Sequence, residues 1–182
     1  MLSQFTETGG HSALGNLYDF PPEVYPVGRL DADSEGLLLL TDDKSLTEFL
    51  LNPVNRHERE YRVQVEGIPD GKELVLLEQG IMIKGKKTRP AHAELIPLPV
   101  LPQRDPPVRF RKNINETWLK IILTEGKNRQ VRRMTAAIGY PTLRLVRVRI
   151  ENISLENMEP GEVRKLSQKE ITSLLGMKMA VK

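Results

Sequence analysis

Residues 28–41 read GRLDADSEGLLLLT, a carboxylate-rich polar loop that runs directly into four leucines. A short apolar run bounded by turn residues is typical of a buried strand rather than a helix. The sequence therefore predicts a strand over residues 37–40, which anchors the preceding loop on the core. Such a loop keeps the side chain of Asp31 in one place, as a catalytic carboxylate requires. The alternative is that Asp31, Asp33 and Ser34 are ordinary turn residues.

Short strands and short helices account for most of the remaining chain. An N-cap signal at Asp42-Asp43 and a stop at Asn52-Pro53 predict one helix, and residues 70–79, closed by Gly80, predict a second. Clean alternation of apolar and polar residues predicts a strand at 59–66. We also predict a hairpin at 81–88 and further strands at about 91–96, 118–123 and 143–150. Strands outnumber helices and several neighbouring strands are antiparallel candidates. We therefore predict an α+β domain with a largely antiparallel sheet.

The charge of the chain is unevenly distributed. Residues 104–149 contain twelve Lys/Arg and three Asp/Glu, a net +9, so the rest of the chain carries −6 within an overall +3. A concentrated basic segment is typical of a surface that binds a polyanion such as nucleic acid. The alternative is an ordinary solvated surface. A DNA-binding domain is disfavoured because the sequence contains no helix-turn-helix or zinc-finger pattern.

Composition excludes several other classes of protein. Because the chain has no Cys, it has no disulfide framework, thiol catalysis or Cys-ligated zinc. Its three histidines, His11, His57 and His92, lack metal-ligand spacing, so we predict no metal and no cofactor. No stretch is long enough to span a membrane and no signal peptide opens the chain, which predicts a cytoplasmic protein that does not bind membranes.

Three segments carry a family resemblance. The string GRLDADSEGLLLLT, the tyrosine at position 61 near the start of a strand, and EGKNRQVRRM at residues 125–134 are similar to motifs of the pseudouridine synthases of the small-ribosomal-subunit-A type. Together these segments cover most of the chain. Within the family, the chain most resembles subgroup E, whose members act on large-subunit ribosomal RNA.

The resemblance implies a fold, a reaction and a partner. It implies a mixed sheet in two lobes with a central active-site cleft, formed by residues 1–182 as one catalytic domain. It also implies isomerisation of a specific uridine to pseudouridine in RNA, and subgroup E points to large-subunit ribosomal RNA. We expect the enzyme to be a monomer that needs no cofactor. By comparison with the family, we expect the first strand to be missing at the N-terminus, together with the small RNA-binding domain found in many relatives.

The family motifs assign three residues to the base and the sugar. Asp31 matches the essential aspartate, which acts either as a nucleophile on the substrate or as a base at the ribose. Tyr61 would stack on a flipped uracil and help remove a proton from it, whereas without the family it would be interpreted as a core tyrosine. Leu145 would pack beneath the target base.

A helix predicted over residues 128–138 carries the third motif. Helical geometry places Arg132 at the margin of the buried face, where it would be the counter-ion of Asp31, in line with the family's cleft arginine. The same geometry directs Arg129 and Arg133 away from that face, toward RNA phosphates. The alternative for Arg132 is a further phosphate contact on the surface.

The other basic candidates complete the predicted substrate-binding set. These are Arg29, Lys127 and Arg144, which we expect to hold the RNA backbone together with Arg129 and Arg133.

Two further functions remain as alternatives. A non-catalytic RNA-binding module would use the basic segment but leaves the Asp31 loop unexplained. A glycoside hydrolase would need two carboxylates that face each other across a bond. Asp31 and Asp33 lie only two residues apart in one loop, and a net charge of +9 in one segment does not suit a neutral sugar.

Overall fold

The computed structural model describes residues 2–108, 115–155 and 158–176. Within these ranges it contains ten strands, four α-helices and two short 3₁₀ turns. The strands are β1 Tyr25–Pro26, β2 Glu35–Gly36, β3 Leu40–Thr41, β4 Arg59–Glu66, β5 Met82–Ile83, β6 Lys86–Lys87, β7 His92–Ile96, β8 Glu116–Leu123, β9 Thr142–Ile150 and β10 Ile153–Ser154. The helices are α1 Lys44–Leu51, α2 Gly71–Glu78, α3 Gln130–Ala137 and α4 Gln168–Gly176.

One sheet organises the molecule. Its strands lie in the order β10-β9-β4-β8-β7 with antiparallel pairing throughout, and β2 joins β9 in parallel. The central pair, β4 and β8, keeps one unbroken register from Arg59 opposite Leu123 to Glu66 opposite Glu116. The structure is therefore the predicted α+β fold with a largely antiparallel, mixed sheet.

Side-chain caps explain where the predicted helices begin. Asp43 accepts hydrogen bonds from the backbone N–H of Ser45 at 2.8 Å and of Leu46 at 3.2 Å, which satisfies free donors in the first turn of α1. Asp70 and Glu73 form a reciprocal capping box at the start of α2. These helix starts, like strand β4, lie where the sequence predicted them.

The leucine run differs from the prediction, because residues 37–40 do not form one strand. The chain pairs with β9 at Glu35–Gly36, then leaves that sheet and pairs with β1 at Leu40–Thr41. Leu37 and Leu39 lie between these two strands and are only 5 % and 8 % exposed. Burial was therefore predicted correctly, but the run crosses from one sheet to another instead of extending within one.

Helix α3 begins two residues later than predicted. Arg129 adopts a left-handed conformation, with φ of 51°, so it precedes the helix rather than belonging to it. A turn closes there, because the N–H of Gln130 donates to the carbonyl of Lys127 at 3.1 Å. The positions of arginine side chains inferred from a helix starting at residue 128 therefore do not apply to Arg129.

Two apolar clusters form the core. One packs α2 and α3 against the sheet, and its fully buried members include Val63, Leu119, Ile121 and Met134. The other packs α1 and α4 against the segment 27–39 and the end of β9. Strand β9 contributes to both clusters, so it links the two halves of the core. Within the described ranges no helix is long and apolar enough to cross a membrane.

Gly36 is required where β2 meets β9. Its φ is +110°, and a Cβ at this position would lie 2.2 Å from the carbonyl oxygen and 2.7 Å from the nitrogen of Arg147. A side chain there would meet backbone, which has no alternative rotamer, in a conformation that residues with a Cβ rarely adopt.

We predict that Gly36→Ala lowers the free energy of unfolding by roughly 3 kcal/mol, through backbone strain and overpacking together. Gly85→Ala is the matched control, because Gly85 also has a positive φ, of +74°, but has open space around it. That variant should lose only about 1 kcal/mol. Urea unfolding measures both values, and equal losses would show that the contact with Arg147 contributes nothing.

Candidate active site

A cavity of about 300 Å³ opens beside the Asp31 loop. Its walls come from residues 27–35, from β4 and β9, and from the segment that connects β8 to α3. Six of the nine predicted site residues line it: Arg29, Asp31, Tyr61, Lys127, Arg129 and Leu145. Residues separated by more than a hundred positions are thus brought into one cleft between the two core clusters.

The loop that carries Asp31 is held at both ends and across its turn. Before the loop, the N–H of Val27 donates to the carbonyl of Leu39 at 2.8 Å, and the N–H of Leu30 donates to the hydroxyl of Ser3 at 2.9 Å. Within the loop, the N–H of Ser34 donates to the carbonyl of Asp31 at 2.9 Å. The Asp31 carboxylate, 28 % exposed, is therefore fixed beside the cavity yet reachable from it.

Arg129 contacts the aspartates of this loop directly. Its two terminal nitrogens donate to the two carboxylate oxygens of Asp33, each at 2.9 Å, and one of them lies 3.9 Å from Oδ2 of Asp31. Arg129 was expected to point away from the buried face of the helix, toward RNA phosphates. Its side chain is 42 % exposed, but it lies against the Asp31 loop. The reason is its left-handed backbone, which takes its side chain out of the helical pattern.

Arg132 supports the loop rather than pairing with Asp31. Its Nη2 donates to the carbonyl of Asp33 at 2.7 Å, and its Nε lies 3.4 Å from the carboxylate of Asp33. Burial lowers the pKa of Arg132 and the negative charge of Asp33 opposes that effect. An arginine remains protonated under these conditions. The direct contacts of Arg132 are therefore with Asp33. The negative charge of Asp31 also favours the charged form of Arg132, and the role of Arg132 as counter-ion of Asp31 stays a prediction.

Asp33 is consequently the carboxylate that joins the loop to α3. The hydrogen bond from Arg129 lowers the pKa of Asp33, partial burial raises it, and the charge of Arg132 lowers it, for a net decrease. In the sequence this residue was only a turn candidate or the second acid of a hydrolase.

The floor of the cavity belongs to the sheet. Tyr61 on β4 is half-buried, and Leu145 on β9 is 5 % exposed. Two arginines that the sequence analysis did not select, Arg59 and Arg147, line the same cavity. The period of two along a strand places residues 145 and 147 on one face, so the position of Arg147 was available from the sequence.

The basic segment is largely neutralised inside the protein. Of its described Lys/Arg residues, seven form ion pairs with carboxylates: Arg104, Lys120, Lys127, Arg129, Arg132, Arg144 and Arg149. Most of those carboxylates come from other parts of the chain. Arg144, predicted to hold RNA, bonds Glu35 through two nitrogens at 3.0 and 2.7 Å. Three further cations of the segment, Arg109, Arg111 and Lys112, lie outside the described residues.

A second cavity, of about 250 Å³, lies beside the first, and we call it the hairpin cavity. It is lined by three cations that have no carboxylate partner among the described residues: Lys84, Lys86 and Arg133. Its other lining residues are Ile83, Thr88, Lys127, Asn128 and Gln130, and none of the lining residues is acidic. It shares Lys127, Asn128 and Gln130 with the first cavity. The two cavities are therefore neighbours, and Arg133, predicted to bind RNA, lines the second.

Comparison with known proteins defines the class of the molecule. Residues 6–137 match the model of the RNA pseudouridylate synthase family, and the chain belongs to that family. The resemblance inferred from the three motifs is thus confirmed. Among the described residues, no three His, Asp or Glu side chains come together in a group that could hold a metal ion.

Individual relatives give a finer comparison. The chain is 49 % identical over 168 residues to ribosomal large subunit pseudouridine synthase E of Vibrio vulnificus, a match that covers 91 % of this chain and 70 % of the relative. It is 49 % identical over 167 residues to the protein of the same name from Xanthomonas campestris, covering 90 % and 89 %. Ribosomal large subunit pseudouridine synthase B of Bacillus subtilis is 35 % identical over 96 % of this chain and 67 % of its own length.

A solved structure matches the fold. The crystal structure of a pseudouridylate synthase, 28 % identical in sequence, superimposes with a TM-score of 0.74 over 89 % of this chain. The match spans 65 % of the length of that protein. The fold predicted from the family resemblance is therefore confirmed.

The pair between Asp33 and Arg129 generates a prediction about stability. We expect Asp33→Asn to lower the free energy of unfolding at pH 7 by less than about 1 kcal/mol, because the pair is partly exposed to solvent. Since the pKa of Asp33 is lowered in the folded state, this contribution is present above the unfolded-state pKa and is lost as pH falls below about 4.

Urea unfolding of both proteins between pH 7 and pH 3 tests this expectation. The difference in free energy of unfolding between the parent and Asp33→Asn should shrink as the pH falls. It should already be smaller at pH 7 when both proteins also carry Arg129→Gln. A difference that stays constant with pH would mean that Asp33 contributes through packing rather than charge.

Proposed function

We propose that this chain isomerises a specific uridine of large-subunit ribosomal RNA to pseudouridine, with Asp31 as the catalytic carboxylate. The single observation that supports the assignment of the site best is the cavity that holds Asp31, Tyr61 and Leu145 together. The choice of RNA rests on the names of the relatives from Vibrio and Xanthomonas.

The reaction exchanges one bond to the sugar for another. The bond between C1′ of the ribose and N1 of uracil breaks, and its electron pair leaves with the base. The base then turns, C5 bonds to C1′, the proton on C5 is lost, and N1 gains a proton. Asp31 acts in the first step, either by attacking C1′ or by removing the proton on C2′. A primary isotope effect with deuterium at C2′ distinguishes these two roles.

The base needs a platform while it is detached. We propose that the ring of Tyr61 stacks on the flipped uracil and that Leu145 packs beneath it. The hydroxyl of Tyr61 removes the proton from C5. A half-buried tyrosine and a leucine that is 5 % exposed on adjacent strands suit this arrangement, because water must be kept from the separated base and sugar.

Extruding a base from folded RNA costs a few kcal/mol. We propose that phosphate contacts from Arg29, Lys127, Arg129 and Arg133 help to offset this cost. Arg129 would have to exchange the carboxylate of Asp33 for phosphate, and Arg144 would have to exchange that of Glu35. Arg132 is proposed to act on Asp31 indirectly, by fixing the loop through Asp33.

We further propose that residues 1–182 work as a single catalytic domain and as a monomer. The compartment expected for such an enzyme is the bacterial cytoplasm, where ribosomal RNA is found. Size-exclusion chromatography tests the monomer, because a dimer would elute at twice the mass of 20.7 kDa.

Substitution of Asp31 should separate chemistry from binding. We predict that Asp31→Asn abolishes pseudouridine formation, while its affinity for ribosomal RNA stays within about tenfold of the parent, or 1.4 kcal/mol. The control is Asp42→Asn, which removes an exposed carboxylate outside both cavities. This variant should remain active. Release of tritium from C5-labelled uridine in a chelating buffer measures turnover.

Three outcomes would contradict this assignment. Turnover by Asp31→Asn would remove Asp31 from the chemistry. A parent protein that binds RNA but never forms pseudouridine would leave the chain as a non-catalytic RNA-binding module. Activity that returns only with added divalent metal, when the fold of the RNA is unchanged, would contradict the absence of a cofactor.

The hairpin cavity predicts a salt-dependent contribution to binding. We expect Lys84→Ala with Lys86→Ala to lower the slope of log affinity against log salt by up to about 0.7–0.9 for each phosphate that the protein no longer neutralises, and to leave single-turnover chemistry at saturating RNA unchanged. The control is Lys72→Ala with Lys165→Ala, which removes the same charge away from both cavities. Equal changes in the two double variants would indicate a general charge effect.

A further inference from the structure

Arg147 is a buried cation that the reaction described above does not use. It is 5 % exposed, and its Nη2 is shielded from water without a hydrogen-bond partner. Among the described residues no carboxylate pairs with it, whereas Arg149, two positions along the same strand, bonds Glu60 and Glu58. Burying an uncompensated charge is costly, so a guanidinium in this position needs a physical reason.

The backbone beside the Asp31 loop holds Arg147 from two directions. The N–H of Leu37 donates to the carbonyl of Arg147 at 2.8 Å, and the Nε of Arg147 donates to the carbonyl of Leu37 at 2.8 Å. Gly36 permits this approach because it has no Cβ. The guanidinium is thus held by its Nε, with its terminal nitrogens left for another group.

Strand register identifies that group as Tyr61. Tyr61 on β4 lies directly opposite Arg147 on β9, because the register shifts between Glu60 and Tyr61. Side chains of directly opposed residues stand about 5 Å apart at Cβ on the same face of a sheet. Both residues line the active-site cavity. Burial lowers the pKa of Arg147, and the side chain of Tyr61 opposes that shift.

We propose that Arg147 is a positioning residue that directs the hydroxyl of Tyr61 toward the detached base and stabilises the negative charge that forms on its oxygen. This inference rests on the proposed function. When the bond from C1′ to N1 breaks, the base leaves as an anion, and the hydroxyl gives its proton to that anion, which supplies the proton needed at N1. After C5 has bonded to C1′, the phenolate takes the C5 proton, and the C5–H electron pair restores the ring. No proton is gained or lost overall.

A phenolate in a water-excluded cleft requires a nearby positive charge. The guanidinium suits this role because its Nε is already bonded to Leu37 and does not compete for RNA. Arg147 therefore acts through Tyr61 and makes no contact with the substrate. The cost of burying its charge is offset when the phenolate forms opposite it.

The test measures tritium release, and the isotope effect of deuterium at C5, under single-turnover conditions at saturating RNA. We expect Arg147→Met to slow turnover on the order of 100-fold or more, the size of a lost proton-transfer catalyst. The isotope effect should rise above that of the parent, because removal of the C5 proton becomes rate-limiting. RNA affinity should not change.

Arg147→Lys provides the conservative comparison. A lysine keeps the charge, but its three N–H donors leave one nitrogen and cannot reproduce the fixed spacing between Nε and the terminal nitrogens of a guanidinium. Its rate should therefore lie between those of the parent and Arg147→Met, with a raised isotope effect. Arg149→Met is the matched control on the same strand and should keep the isotope effect of the parent. Urea unfolding shows which variants are folded.

The outcomes separate this inference from the function on which it rests. If the parent releases no tritium from C5, the proposed function is wrong and this inference with it. If the parent is active but Arg147→Met and Arg147→Lys keep its isotope effect, Arg147 is only structural and the inference alone is overturned. If Arg147→Met does not fold, Arg147→Lys alone decides. A raised isotope effect in that variant supports the inference, and an unchanged one overturns it.

Discussion

The contact between Leu37 and Arg147 holds the rest of the site in place. Both polar backbone atoms of Leu37 bind Arg147, one to its carbonyl and one to its side chain. The same contact attaches the Asp31 loop to the central sheet through the short parallel pairing of β2 with β9. Because hydrogen-bonded backbone has few alternative arrangements, the separation between the carboxylate and the floor of the cavity is set by the main chain rather than by flexible side chains.

Three arginines near the Asp31 loop occupy environments of increasing burial. Arg129 is partly exposed and bonds Asp33, so a phosphate can compete for it. Arg132 is more deeply placed; it donates a hydrogen bond to the carbonyl of Asp33 and forms an ion pair with its carboxylate. Arg147 is buried and has no carboxylate partner among the described residues. The first suits exchange with RNA, the second suits support of the loop, and the third suits stabilisation of a charge formed during the reaction.

The ion pairs change the interpretation of the charge distribution. A net +9 over residues 104–149 suggested one polyanion-binding surface, but carboxylates from other parts of the chain pair with six of its described cations. Glu35 alone accepts from Arg144 and lies 3.4 Å from Arg104. Within the described ranges, three cations without a carboxylate partner, Lys84, Lys86 and Arg133, lie together at the hairpin cavity. Formal charge along a sequence therefore does not locate the binding surface, because pairing depends on distances in the folded chain.

The sequence by itself determined the parts of this protein that depend on neighbouring residues. Alternation predicted β4, the N-cap signal at Asp42-Asp43 predicted the start of α1, and three motifs identified the family and most of the predicted residues that line one cavity. Only the tertiary structure decided how distant residues meet. The leucine run crosses between two sheets, Arg129 leaves the helical pattern, and Tyr61 faces Arg147 because the register shifts by one residue. These features depend on strand pairing across the fold, for which local periodicity carries no information.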